Sequence, residues 1–203
     1  MRTFINRIIV GMSAIVLMGS ISAFAMPTWQ FDSGMEKGIN YFNRRMYYEA
    51  RDEFQWFCDA NWGALNAGQQ QYALDYLDGA QREIVAIESV LSARGQFISR
   101  YQAIDNIPFT GDGSTYSMRV DASDRYQKWD NLLNDIYSYL MQVLPEDKRA
   151  ALRSDEIAWI NRKEAAISAA GLEWEGGTFR PVAELSEAAA QTRDRCWYLI
   201  SLL

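Results

Sequence analysis

The sequence predicts an all-α fold, an antiparallel helical bundle with an N-terminal helical hairpin as an extension. Three observations lead there. Apolar residues recur every three or four positions over long windows, as in Tyr72, Tyr76, Leu77, Ala80, Ile84, Ile87 and Leu91; that is the spacing of one helical face. Glycine, proline and short polar residues gather in a few stretches, at 61–68, 105–115 and 171–181, where helices end and the chain turns. No stretch reads as a strand, with apolar and polar residues in strict alternation.

The first 25 of the 203 residues read as a removable leader. Arg2 and Arg7 supply a positive start, Ile8 to Leu17 an apolar core, and Ala23-Phe24-Ala25 a small-x-small ending. This pattern predicts a secretory signal peptide cut between Ala25 and Met26. The apolar core is short for a membrane span. No cysteine follows it as a lipid attachment point, so no stable membrane anchor is expected after cleavage. The expected location is periplasmic or secreted. The mature chain of 178 residues is long enough for a sizeable core. Its net charge moves from −6 to −8, because the leader carries two arginines and no acid. That balance argues against nucleic acid and anionic membranes, and favours a basic protein partner. Solubility alone is the plainer account of the same charge.

There is no histidine. This removes a histidine general base, a Ser-His-Asp triad and the commonest metal ligand. Two cysteines, Cys58 and Cys196, are too few for a zinc cage without histidine partners. No cofactor or metal is expected. An oxidising compartment permits a Cys58–Cys196 disulfide, which would close a long loop worth up to about 4–5 kcal/mol in the chain-entropy model. Two buried thiols are the alternative: Cys196 shares a helical face with Thr192 and Leu199, and Cys58 shares one with Phe54.

Taken in order, Asp32 or Ser33 is expected to cap a first helix over 33–44, and a second should run from about 47 to 59. Their Gly38, Tyr41, Tyr47, Ala50 and Phe54 have the spacing of one tetratricopeptide repeat, without its usual proline. A single unit predicts a hairpin packed on its own domain, since arrays need several repeats. A long helix is expected over 69–92, with Gly95 as a break or a close contact and 97–104 as a helical continuation. The loop that follows, through about Val120, is the expected boundary between an N-terminal region, 26–120, and a C-terminal domain, 121–203. Its acids lack the alternate spacing and final glutamate of a calcium-binding EF-hand.

Asp121 or Ser123 should cap a helix over 123–144 whose apolar face is Tyr126, Trp129, Leu133, Ile136, Leu140 and Val143. Pro145 stops it and opens the next, with Glu146 and Asp147 near the positive end. Gly171 is expected as the left-handed cap of that helix, and Pro181 in the first turn of the last one, 181–201. Glu156, Trp159 and Lys163 fall on one stripe, with Glu164 beside them and Arg195 one turn after Thr192. The expected arrangement is a ring lying along the Lys163 stem, with carboxylates meeting Lys163 or Arg195 between helices.

Four short motifs in order carry a resemblance: Leu133-Asn134-x-x-Tyr137, Trp159-Ile160 with Lys163-Glu164, Gly176-Gly177, and Thr192-x-x-Arg195-x-x-x-Leu199. Together, over about 126–202, they resemble the domain of the LprI-type lysozyme inhibitors. That family has arginine and aspartate where this chain has Lys163 and Glu164, a change that keeps charge but not geometry. It also carries two cysteines where this chain has Ile167 and the alanines around Ala188, as if one disulfide had been lost as a unit.

The resemblance implies an all-α inhibitor, not an enzyme, whose partner is a lysozyme-type muramidase. Such enzymes are commonly basic. The turn Glu173-Trp174-Glu175-Gly176-Gly177 is the candidate contact, with Trp174 supplying area and the glycines permitting close approach. A surface turn whose tryptophan folds back onto the bundle is the alternative. The aromatic-rich hairpin supports a different function, a non-catalytic cell-envelope adaptor. Catalysis is not expected: Glu173 and Glu175 sit on one turn, without the opposed placement that glycoside hydrolysis requires. Oligomeric state is not legible in the sequence.

Overall fold

The computed structural model describes residues 25–203. The leader residues Arg2 to Phe24 therefore lie outside the described part. Among the described residues there are six α-helices, one short 3-10 turn and no strand. The helices are α1 (Thr28–Asn43), α2 (Tyr47–Asn61), α3 (Ala67–Asp105), α4 (Thr115–Val143), α5 (Glu146–Leu172) and α6 (Arg180–Ser201), with the 3-10 turn at Trp62–Ala64. They form two compact units, divided at Val85 and Ala86.

The first unit holds α1, α2 and the start of α3. Helix α1 begins earlier than the acid and serine caps suggested: Pro27 sits at its N-cap, and no side chain caps it. Proline suits that end because its missing N–H would be unpaired there anyway. Phe31, Met35, Ala50, Phe54, Phe57, Cys58, Leu65, Ala73 and Leu77 fill one core. The two arms of the hairpin meet where α1 is smallest. A β-carbon on Gly38 would stand 2.4 Å from the Phe54 ring, and one on Gly34 2.2 Å from that of Phe57. The reversal between the arms is made by Arg45, held at φ 60°, a left-handed conformation unusual for a residue with a side chain.

Helix α3 is continuous. Gly95 neither breaks it nor marks a tight contact, since a β-carbon there would meet nothing within 4 Å. A helix tolerates one exposed glycine at a cost of about 1 kcal/mol. The predicted stripe is only partly buried: Ala73, Leu77, Ala80 and Ile84 are inside, whereas Tyr72, Ile87 and Leu91 are exposed.

The second unit holds the end of α3 with α4, α5 and α6. Helix α4 starts at Thr115, not at Ser123. The true cap is Ser114, whose side chain accepts from the Ser117 N–H. Asp112 supports that cap by accepting from the Ser114 N–H at 2.9 Å, and the Ser114 hydroxyl, the Ser114 N–H and the Ser117 hydroxyl together hold its carboxyl down to about 2. The loop between α3 and α4 thus ends sooner than its glycine and proline content implied. It lies within the second unit, and the division between units falls inside α3.

Helix α6 packs on both α4 and α5. Their shared core is Trp129, Leu132, Leu133, Ile136, Leu140, Leu152, Trp159, Cys196, Leu199 and Ile200, joined by Phe97 of α3. Val143, assigned to the apolar face, is exposed.

Gly171 is not the left-handed cap. It lies inside α5, buried, where a β-carbon would stand 2.2 Å from Glu184 Oε1. Its role is the close approach of α5 to α6. The left-handed residue is Gly176, at φ 74°.

Candidate functional site

The polar cluster of the second unit is built around Arg195. Periodicity points this residue inward with Thr192 and Leu199, and all three are buried. A buried guanidinium needs partners. Arg195 donates from Nε and Nη2 to Glu156 Oε2 at 3.0 and 2.8 Å, and Nη2 also lies 2.7 Å from Asp155 Oδ2. Its planar head stands over the rings of Trp159 and Tyr198, at 5.4 and 4.7 Å from their centres. Such stacking suits arginine, whose weakly hydrated guanidinium is less costly to bury than an ammonium.

Lys163 takes no part in the ion pair. Its ammonium lies over Trp159 and Tyr126, at 4.8 and 5.7 Å, so the ring and lysine meet as expected. Glu164 is exposed and outside the cluster. The sequence named Glu156 and Arg195 as candidates for this network but missed Asp155 and Tyr198. Tyr198 was visible in principle, three residues after Arg195 on the same helix.

Leu133, Asn134 and Tyr137 of α4, and Trp159 and Lys163 of α5, line one groove of about 400 Å³. Glu156 and Asp130 contribute acids to it, and Ile157 and Ile160 contribute exposed apolar surface. Asn134 donates to Asp130 Oδ2 at 3.1 Å. Most of the motif residues of α4 and α5 therefore share a surface feature, while Thr192, Arg195 and Leu199 are buried on α6, with Arg195 stacked on Trp159. This convergence could not be read from spacing along the chain, since α4 and α5 supply opposite walls.

The turn Glu173-Trp174-Glu175-Gly176-Gly177 is exposed throughout. It is also ordered by its own hydrogen bonds. Trp174 N–H donates to Gly171 O at 3.1 Å, Glu175 N–H to Leu172 O at 3.2 Å, and Gly177 N–H to Trp174 O at 2.9 Å. Trp174 is 44 % exposed and packs on Phe179, with ring centres 4.6 Å apart. The tryptophan leans on its own turn and still shows nearly half its surface. The charge of the turn is partly answered locally, because Arg180 sits beside Glu175 and pairs with Glu184 at 2.8 Å.

The Cys58–Cys196 disulfide is not formed. Both thiols are free and buried. The physical reason is that each belongs to a different core, Cys58 to that of the first unit and Cys196 to that of the second. Cys196 S–H donates to the Trp129 carbonyl at 3.5 Å. Burial, with Asp59 nearby, pushes the Cys58 thiol up to about 11, and burial, with Asp130 nearby, pushes Cys196 up to about 12. Native protein at pH 8 is therefore expected to leave both thiols unreacted with a soluble disulfide reagent, while denatured protein reacts twice. The raised values also set a pH dependence. The thiols' contribution to stability is intact below about pH 9, the ordinary thiol value, and is lost as pH rises through 11 to 12. A native thiol that reacts readily at pH 8 would contradict this burial.

The family model described as Lysozyme inhibitor LprI matches residues 110–199. No curated protein and no solved structure matches the chain. The groove, the Arg195 ion pairs and the double-glycine turn all lie within the matched residues, and over that stretch the chain is similar to the LprI lysozyme inhibitors.

Proposed function

We propose that the mature protein acts in the periplasm or outside the cell, where it binds a lysozyme-type muramidase and blocks its cleft. The observation that carries this reading is the match of residues 110–199 to the lysozyme inhibitor family. The acidic balance of the chain supports it, since a net charge of −8 after leader removal would speed encounter with a basic enzyme. The inhibitor does no chemistry of its own. It needs only to fill a groove in which the enzyme's two carboxylates work. The turn 173–177 is the contact we favour: it is exposed, hydrogen-bonded in place, and offers an aromatic ring whose ordering cost is partly met by Phe179.

Titration of residues 26–203 against c-, g- and i-type lysozymes, at low and physiological salt, tests the reading. One-to-one inhibition that survives physiological salt is expected with at least one enzyme. Binding seen only at low salt, with activity intact, would reduce the effect to bulk charge and end the proposal. Within an inhibited pair, replacing Trp174 and Glu175 by alanine is expected to weaken binding at least about tenfold, or about 1.4 kcal/mol. Unchanged affinity in a folded variant would remove the turn from the contact.

A second reading, an envelope adaptor, is favoured by the first unit. Trp29 and Trp56 are 73 % and 65 % exposed there, more than burial in one core would leave. Alanine at both positions should release a co-purifying envelope protein while leaving lysozyme inhibition as it was.

A further inference from the structure

Met26, the residue that would follow the leader cut, is unlike an ordinary chain end. It is buried, and its side chain belongs to the first core. Its N–H donates to Ala64 O at 2.7 Å, and its carbonyl accepts from Gln69 Nε2 at 2.9 Å. Gln69 is itself buried and fixed at its other end by a reciprocal cap on α3. Asn66 N–H donates to Gln69 Oε1 at 3.0 Å, and Gln69 N–H donates to Asn66 Oδ1 at 2.9 Å. The next residue, Pro27, is already the N-cap of α1, and its carbonyl accepts from the N–H groups of Gln30 and Phe31. Ala25, one residue before, is exposed.

We propose that Ala64, Gln69 and the first core form a socket for the processed N-terminus, which holds the Met26 amino group and closes it to proteases once the first unit has folded. The inference rests on the reading that the leader is cut after Ala25. Hydrolysis adds water across the Ala25–Met26 amide: the C–N bond breaks, Ala25 leaves as a carboxylate, and Met26 nitrogen becomes an ammonium. That nitrogen is the atom already bonded to Ala64 O, so the product terminus is in place without rearrangement. The bond gains a charged donor. A protease binds its substrate extended on both sides of the cut, using the main-chain groups of those residues. Here both groups of Met26 are occupied, and the chain is helical two residues later. Access requires local opening, which withdraws Met26 from the core, breaks both hydrogen bonds and unwinds the start of α1.

Two measurements on whole chains test the socket. Folded precursor, residues 1–203 in detergent, is mixed with a signal peptidase, beside a variant with a short glycine–serine spacer inserted after Ala25. Cleavage of the folded wild type is expected to be at least about tenfold slower than of the spacer variant, because it waits on opening. Equal rates would overturn the proposal. If neither form, nor precursor diluted directly from denaturant, is cut after Ala25, the leader reading itself falls. Mature protein, residues 26–203, is then given to a broad aminopeptidase and followed by intact mass. Met26 should be retained in the wild type and released at least about tenfold faster in Gln69→Ala, whose fold is checked by circular dichroism. Ready release of Met26 from the wild type would likewise overturn the socket.

Discussion

Arg195→Ala is expected to cost about 3–5 kcal/mol in the second unit, the usual result of removing one partner from a buried ion pair. The loss has a specific origin. Glu156 is buried, and both hydrogen bonds given by Arg195 reach its Oε2. Without the guanidinium, that carboxylate stays inside a bundle with its charge unanswered, and the faces of Trp159 and Tyr198 lose their cation. Urea unfolding followed by tryptophan fluorescence measures the change.

The companion variants separate charge from packing. Arg195→Lys should recover little, because a single ammonium cannot span Glu156 and Asp155 and also stack on two rings. The pair Glu156→Leu with Arg195→Met should recover most of the loss, since it removes the buried Glu156 charge and leaves only Asp155, whose side chain is partly exposed to water. A loss below about 1 kcal/mol for Arg195→Ala, the range of an exposed pair, would mean that the cluster is solvated in solution.

Trp129→Ala should be comparably severe, about 3–5 kcal/mol. Trp129 is 1 % exposed and stands where α3, α4 and α6 meet. Its ring lies 4.8 Å from that of Tyr101, which in turn contacts Trp197 at 5.3 Å. Removing it leaves a cavity that three helices cannot close without shifting, so the cavity cost adds to the lost transfer energy. Trp129→Phe should cost clearly less, because most of the volume remains. Calorimetry of the three proteins checks the order. Similar stability of wild type and Trp129→Ala would contradict the placement of the core.

The helices were legible in the sequence where apolar periodicity was long and stop signals were local. Pro145 and Pro181 act at the starts of α5 and α6, as proline chemistry demands. Legibility failed where two local signals competed. Loop composition from Asp105 onward carried the expected loop past its true end before α4, because Ser114 and Ser117 form a cap that serine content alone does not distinguish from a turn. Asp32 and Ser33 looked like caps but lie inside α1, where Pro27 had already opened the helix. Gly171 and Gly176 are chemically identical, and only the position of α6 decides which one needs close approach and which one needs a positive φ.

The same division holds for the site. Residue identity and order alone determined the all-α class, the lack of histidine chemistry, the motif series from Leu133 to Leu199, and the pairing of buried acid with Arg195 as one of two options. These follow from periodicity and charge, which are properties of a single helix. Tertiary structure alone decided that Leu133, Asn134 and Tyr137 face Trp159 and Lys163 across one groove, that Glu164 stays outside it, and that the two thiols sit in separate cores. It also decided that Met26 is gripped by Gln69 from 43 residues away. The physical reason is that a helix's own pattern sets which side turns inward, whereas the neighbour that it meets depends on helix packing, which no short window of sequence contains.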